Sequence, residues 1–174
     1  MMAFFSRWTK NGITSQEATL PRVPPWQRLL VYIFGTGFGT GFLPVAQGTA
    51  GSLLLVILYW WLVPSDPFIQ ITLLVFITAW SIVLSGWGEK MWGEDPGRIT
   101  IDEFAGQALA LLLVPKTLPL YLAAFLLFRI FDTFKLPFIR RLEKLHGGLG
   151  VTLDDTAAGI IARIILIPLM LFLG

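Results

Sequence analysis

The chain has 174 residues, 55% of them hydrophobic and 14% charged, with a formal net charge of +2 and a mean hydropathy of +0.73. That balance suits one membrane-embedded domain, and the charge is too small to argue for a nucleic-acid partner. The absence of cysteine excludes disulfides, zinc–thiolate sites and cysteine nucleophiles, while the single histidine, His146, excludes chemistry that needs two imidazoles.

Residues 1–28 read as a basic arm, with Arg7, Lys10, Arg22 and Arg28 against Glu17. The arm is polar and interrupted by proline, without the apolar core of a signal peptide. Binding anionic lipid is its simplest use. Five apolar segments follow within 29–174, at roughly 51–63, 68–87, 104–114, 118–134 and 156–173. With no strand alternation and no hairpin turn pairs, they predict helices, hence an all-α, integral membrane bundle of about five apolar helices. The segment 68–87 is uncharged and long enough to cross about 30 Å of hydrocarbon, whereas 104–114 is short for a full span. Seven tryptophans and three tyrosines suit the bilayer interface.

Alternate crossings place the polar stretches on one side. If the basic arm is cytoplasmic, "VPSDP" and "VPKTLP" become short turns on the far side. The stretches 35–51, 88–103 and 135–155 then return to the cytoplasmic face. "KLPFIRRLEKLH", with Lys135, Arg140, Arg141 and Lys144, agrees with that orientation on its own. A site at the cytoplasmic membrane surface is therefore expected, not a polar path through the bilayer.

Three carboxylate groups meet on that face: Asp95, Asp102 and Glu103 in "GEDPGRITIDEFAGQ"; Asp132 in "FRIFDTFK"; Asp154 and Asp155 in "VTLDDTAAG". Hard divalent cations such as Mg²⁺ take oxygen ligands and keep several waters, so a few carboxylates on neighbouring helix ends suffice. A single acid before an apolar run is explained equally well by helix capping. Adjacent pairs at two separate helix starts are not, because a cap needs one residue. Arg129, Asp132 and Lys135 recur every three residues near one helical face, which gives Asp132 to a metal or to its flanking cations, and Arg129 and Lys135 to a phosphate.

"GTGFGTGFLPVAQGTAGS" offers glycine-rich backbone ahead of a helix, where the N–H groups at Thr36, Gly37 and Gly39 could meet an anion. Close helix packing explains the same glycines, and neither a Walker motif nor a dinucleotide fingerprint is present. "HGGLG" is a turn before it is an anion loop.

Taken together and in order, "TGFGTGFLPVAQGTAGS", "DPGRITIDEFAGQ" and "FRIFDTFKLPFIRRLEKLHGGLGVTLDDTAAG" resemble the phosphatidylglycerophosphatase A family over residues 31 to 165. One departure stands out. The family usually reads K-P-x-P after its F-D motif, and here Lys135 is followed by Leu136, Pro137 and Phe138. The resemblance implies an all-helical, Mg²⁺-dependent enzyme of the bacterial cytoplasmic membrane. It would remove the terminal phosphate of phosphatidylglycerophosphate, a phospholipid substrate in the cytoplasmic leaflet, during phospholipid synthesis. Asp102, Glu103, Asp132, Asp154 and Asp155 are then the expected metal and water-activating set. Arg129, Lys135 and the loop at Thr36, Gly37 and Gly39 are the expected phosphate contacts. Among rivals, a CDP-alcohol phosphotransferase would need a glycine adjoining its second aspartate, and phosphatidic-acid-type phosphatases need two histidines. A small cation-handling membrane protein is the non-enzymatic alternative, using the same acids as ion ligands.

Overall fold

The computed structural model describes residues 23–94, 96–137, 139–142, 145 and 147–173, and every described element is helical. Of the residues singled out above, Arg7, Lys10, Glu17, Arg22, Asp95, Lys144 and His146 lie outside the described ones.

Helix α1 (Pro25–Leu30) runs into a π-helical turn, Val31–Gly35, and a 3₁₀ turn, Thr40–Phe42. Helices α2 (Gln47–Leu62) and α3 (Pro67–Trp92) follow. The start of α3 is fixed by Asp66, whose carboxylate accepts the Ile69 N–H at 3.0 Å, and by Pro67 in the first turn. Its end is fixed by Gly93 at φ 96°. Helix α4 (Ile101–Leu111) is central, with nine of its eleven residues buried. Helix α5 (Leu118–Thr133), the short α6 (Ile139–Leu142) and α7 (Gly148–Leu173) complete the chain.

All five apolar segments are helices, but three begin earlier than the hydrophobicity indicates, α2 among them at Gln47. Helix α4 starts at Ile101, so Asp102 and Glu103 occupy its first turn. Helix α7 starts at Gly148, eight residues before the apolar run, so Asp154 and Asp155 sit in its second turn. Capping is thereby removed as an explanation of the second pair. Asp154 Oδ1 and Asp102 Oδ1 each accept the N–H of the next residue, which is not a capping contact.

Among the described residues, two stretches are long and apolar enough to cross a membrane: α3, with mean hydropathy 2.1 over its most apolar part, and Gly148–Phe172 of α7, with 1.8. Within an apolar run of 18 residues in each, only 22% and 33% is buried inside the protein. Their apolar side chains therefore face outward, as in Val75, Phe76, Ile160 and Ile164, which suits lipid and not a water-soluble core. Helix α4, about 16 Å long at 1.5 Å per residue, is too short to span.

Helix α7 crosses α4 where both lack side chains. A Cβ on Gly106 would meet the Asp155 carbonyl and the Phe128 ring, and one on Gly159 would meet the Gly106 carbonyl. Small residues here let the two backbones touch, the packing used between helices in lipid. Ser81 and Thr152 share a 2.7 Å hydrogen bond that ties α3 to α7. With α4 and α7 pinned together, the first turns of α2 and α4, the second turn of α7 and the last turn of α5 gather at one end of the bundle.

Candidate active site

Asp155 projects from α7 toward α4, where one carboxylate oxygen each from Asp102, Glu103 and Asp155 lies within 4.8 Å of the others. Asp102 and Asp155 are 7% and 4% exposed. Burial pushes the Asp102 carboxyl well above the usual carboxylate range, and the neighbouring Glu103 charge pushes it further. Burial also raises Glu103, to about 8, with the Asp155 charge adding to it. Glu103 Oε2 is buried without a hydrogen-bond partner. Three acids crowded out of water are costly unless protonated or shared by a cation. Their oxygen-only donor set fits a hard divalent ion.

The other two acids are paired with cations. Asp132 receives Arg129 Nη1 at 2.8 Å, and it lies close enough to Asp155 for their carboxyls to interact. Asp154 receives Lys135 Nζ at 2.5 Å. Lys135 lies past the end of α5, so it does not continue the Arg129–Asp132 face as the three-residue spacing suggests. It reaches across to α7 instead. The five expected acids thus divide into a cluster of three, an adjoining Asp132 held by Arg129, and Asp154 held by Lys135.

The glycine-rich loop does something other than present its N–H groups. Thr36, Gly37 and Gly39 donate to Val31, Phe34 and Thr36 carbonyls at 3.0, 3.0 and 3.1 Å, and Gly39 N–H also meets Thr36 Oγ1 at 3.1 Å. Those donors are used by the turn itself, which gives the loop a structural use. Gly37 and Gly39 adopt φ of 52° and 94°, and a Cβ on Gly37 would strike Thr100 Oγ1. The loop seats the start of α4: Thr100 N–H donates to the Gly35 carbonyl at 2.9 Å, and Thr40 and Thr100 hydroxyls meet at 3.0 Å.

Glycine matters more at the start of α2. A Cβ on Gly48 would land on Glu103 Oε1 and come within 3.2 Å of Arg129 Nη1. One turn on, Ser52 Oγ accepts from Arg129 Nη1 at 3.3 Å. The first N–H groups of a helix have no partner within it, and Gly48 in the first turn of α2 lies against Glu103 and Arg129. Gln107, one turn after Glu103 on the same face of α4, is fully buried with both amide atoms unpartnered. Neither Gly48 nor Gln107 is marked by residue type alone. A glutamine four residues after an acid in "DEFAGQ" is the one trace that helical spacing leaves.

Buried acids that could hold a metal ion, with Arg129 and Lys135 beside them, thus gather at one end of an all-helical bundle. The model of the family described as phosphatidylglycerophosphatase A matches residues 33–170. The chain belongs to that family. It is 36% identical over 146 residues to Phosphatidylglycerophosphatase A of Escherichia coli, covering 82% of this chain and 81% of that protein. Over 141 residues it is 36% identical to the Haemophilus influenzae protein of the same name, covering 78% and 85%. A Bacteroides thetaiotaomicron protein named "Putative phosphatidylinositol-3-phosphatase" is 41% identical over 145 residues, covering 79% and 91%. No solved structure matches the chain.

Proposed function

We propose that this protein is a Mg²⁺-dependent phosphatase that hydrolyses the terminal phosphomonoester of phosphatidylglycerophosphate to phosphatidylglycerol and phosphate. On this reading residues 29–174 form the catalytic domain, an integral bundle of about five apolar helices in the bacterial inner membrane. Its site faces the cytoplasmic leaflet. The observation that carries the proposal is the buried Asp102–Glu103–Asp155 cluster beside Arg129, within a chain of this family. The cation-handling alternative expects acids in the middle of spans; the acids here gather in the end turns.

Asp102, Glu103 and Asp155 would hold the metal, with Asp132 at their side. Bound Mg²⁺ supplies Lewis-acid polarisation of phosphoryl oxygens and a water of lowered pKa. The chain's own groups bind and orient. Arg129, fixed by Asp132 and Ser52, presents its guanidinium to a phosphate oxygen. The α2 terminus at Gly48 adds backbone N–H groups and the positive end of a helix dipole. Lys135 neutralises Asp154 and brings a second positive charge beside the site that would receive the phosphate.

The 41% identical relative favours a second reading, the same phosphomonoester chemistry on an inositol headgroup. Purified full-length protein in detergent with Mg²⁺, offered phosphatidylglycerophosphate and phosphatidylinositol 3-phosphate in parallel, separates them. Release chiefly from the first is expected. Faster release from the second would move the headgroup assignment, and release from neither would overturn the phosphatase reading.

A further inference from the structure

A cavity of about 570 Å³ lies between the α1 turn, α2, α3 and the outer face of α4, with walls that are almost wholly apolar. Along α3 it runs from Leu84 to Ile69, about 22 Å at 1.5 Å per residue. One leaflet of hydrocarbon is about 15 Å deep. The cavity is thus a slot deep enough for a single extended chain.

We propose that this slot seats one acyl chain of the lipid whose phosphate lies at the Asp102–Glu103–Asp155 cluster. The inference rests on the reading that the substrate is a phospholipid. Two features tie the slot to the site and not to lipid at large. Ile101 and Phe104, on either side of Asp102 and Glu103, form its upper end, so α4 presents acids on one face and the slot's wall on the other. A lipid would straddle that first turn. Along α2, one helical stripe begins with Gly48 against Glu103 and Ser52 against Arg129, and continues as slot wall through Leu55 and Tyr59. Polar end and apolar end share one surface.

Entry from the side is provided for. Phe38 and Phe76 on the slot's rim are 59% and 58% exposed, so a chain already in the bilayer can slide between α2 and α3 without leaving hydrocarbon. The backbone at Phe38 is left-handed, φ 56°, between two glycines that share that conformation. A bulky residue held there is uncommon, and here it places a ring at the slot's mouth.

Leu73 lines the slot partway down α3 and is half-buried. Leu73→Trp should obstruct it and Leu73→Ala should lengthen it. The assay is Mg²⁺-dependent phosphate release by full-length protein from phosphatidylglycerophosphates with acyl chains from six to eighteen carbons, in mixed micelles. With Leu73→Trp, kcat/KM for long chains should fall more than about tenfold, because an obstructed slot no longer seats the chain with its phosphate aligned at the acids, while the six-carbon substrate, too short to reach Leu73, is affected far less. Leu73→Ala should raise the preferred chain length. A loss shared equally by short and long chains, or no change with either variant, overturns the slot assignment. Failure of wild type to release phosphate from any of these lipids overturns instead the reading on which it rests.

Discussion

Gly48→Ala separates the catalytic use of α2 from its structural use. The added Cβ would occupy the place of Glu103 Oε1, lying 2.9 Å from Glu103 Cδ and 3.2 Å from Arg129 Nη1. Both obstacles are far ends of long side chains, so they can give way without moving backbone. Replacing glycine by alanine within a helix is favourable by about 1 kcal/mol. The fold is therefore expected to be as stable as wild type, or more so by up to about that amount. The Glu103 carboxylate, however, must swing away from Asp102 and Asp155, and a misplacement of about 1 Å at a reacting centre can cost on the order of 10²-fold in rate. Thermal melting in detergent together with Mg²⁺-dependent phosphate release reads both effects, with Gly86→Ala as control because a Cβ there meets nothing closer than 3.5 Å. Wild-type turnover by Gly48→Ala would show that Glu103 is not needed where the structure holds it. A large loss of stability would show that the α2–α4 contact is backbone-tight and not a contact of side-chain ends.

Lys135→Met should leave the Asp154 carboxylate, 3% exposed, without its cation. Breaking a fully buried pair costs about 3–5 kcal/mol, and with Lys135 still 23% exposed the expected cost is nearer about 2 kcal/mol. The double variant with Asp154→Leu should recover part of it, and a double-mutant cycle with no coupling would rule out the pair as a structural tie. Metal binding should depend on pH in a defined direction. Glu103, raised to about 8 by burial and the Asp155 charge, holds a proton at neutral pH that a cation must displace. The Mg²⁺ concentration for half-maximal activity should fall as pH rises from 6 and level off above about 8; a requirement that is flat across this range would contradict Glu103 as a ligand.

The helices were readable from apolar runs because each has to bury or present a hydrophobic face, and all five appear where hydropathy puts them. Their beginnings were not. Gly148 and Gly150 look like turn residues, yet a Cβ at Gly148 would run into the Ile82 carbonyl. Close approach to α3 is what keeps glycine inside α7. The acids were readable too, since adjacent carboxylates at the edge of an apolar run have few bland explanations. Which of them share a site was not. That division depends on α4 and α7 touching at Gly106 and Gly159 and on the chain leaving α5 before Lys135. The glycine-rich stretch has two uses: in its first half the turn engages its own N–H groups, and in its second Gly48 makes room for Glu103. Spacing cannot tell these two uses of glycine apart; contacts between distant segments can.

The most direct measurement is phosphate release from phosphatidylglycerophosphate by the purified full-length protein and its Asp155→Asn variant, each with Mg²⁺ and with EDTA. Asn keeps the shape of the side chain at the α4–α7 crossing and removes its charge, so the variant should stay folded. Release that requires Mg²⁺ in the wild type and falls by at least about 10²-fold in the variant is the expected result. Release that survives EDTA, or a variant as active as wild type, would contradict a metal held by Asp102, Glu103 and Asp155.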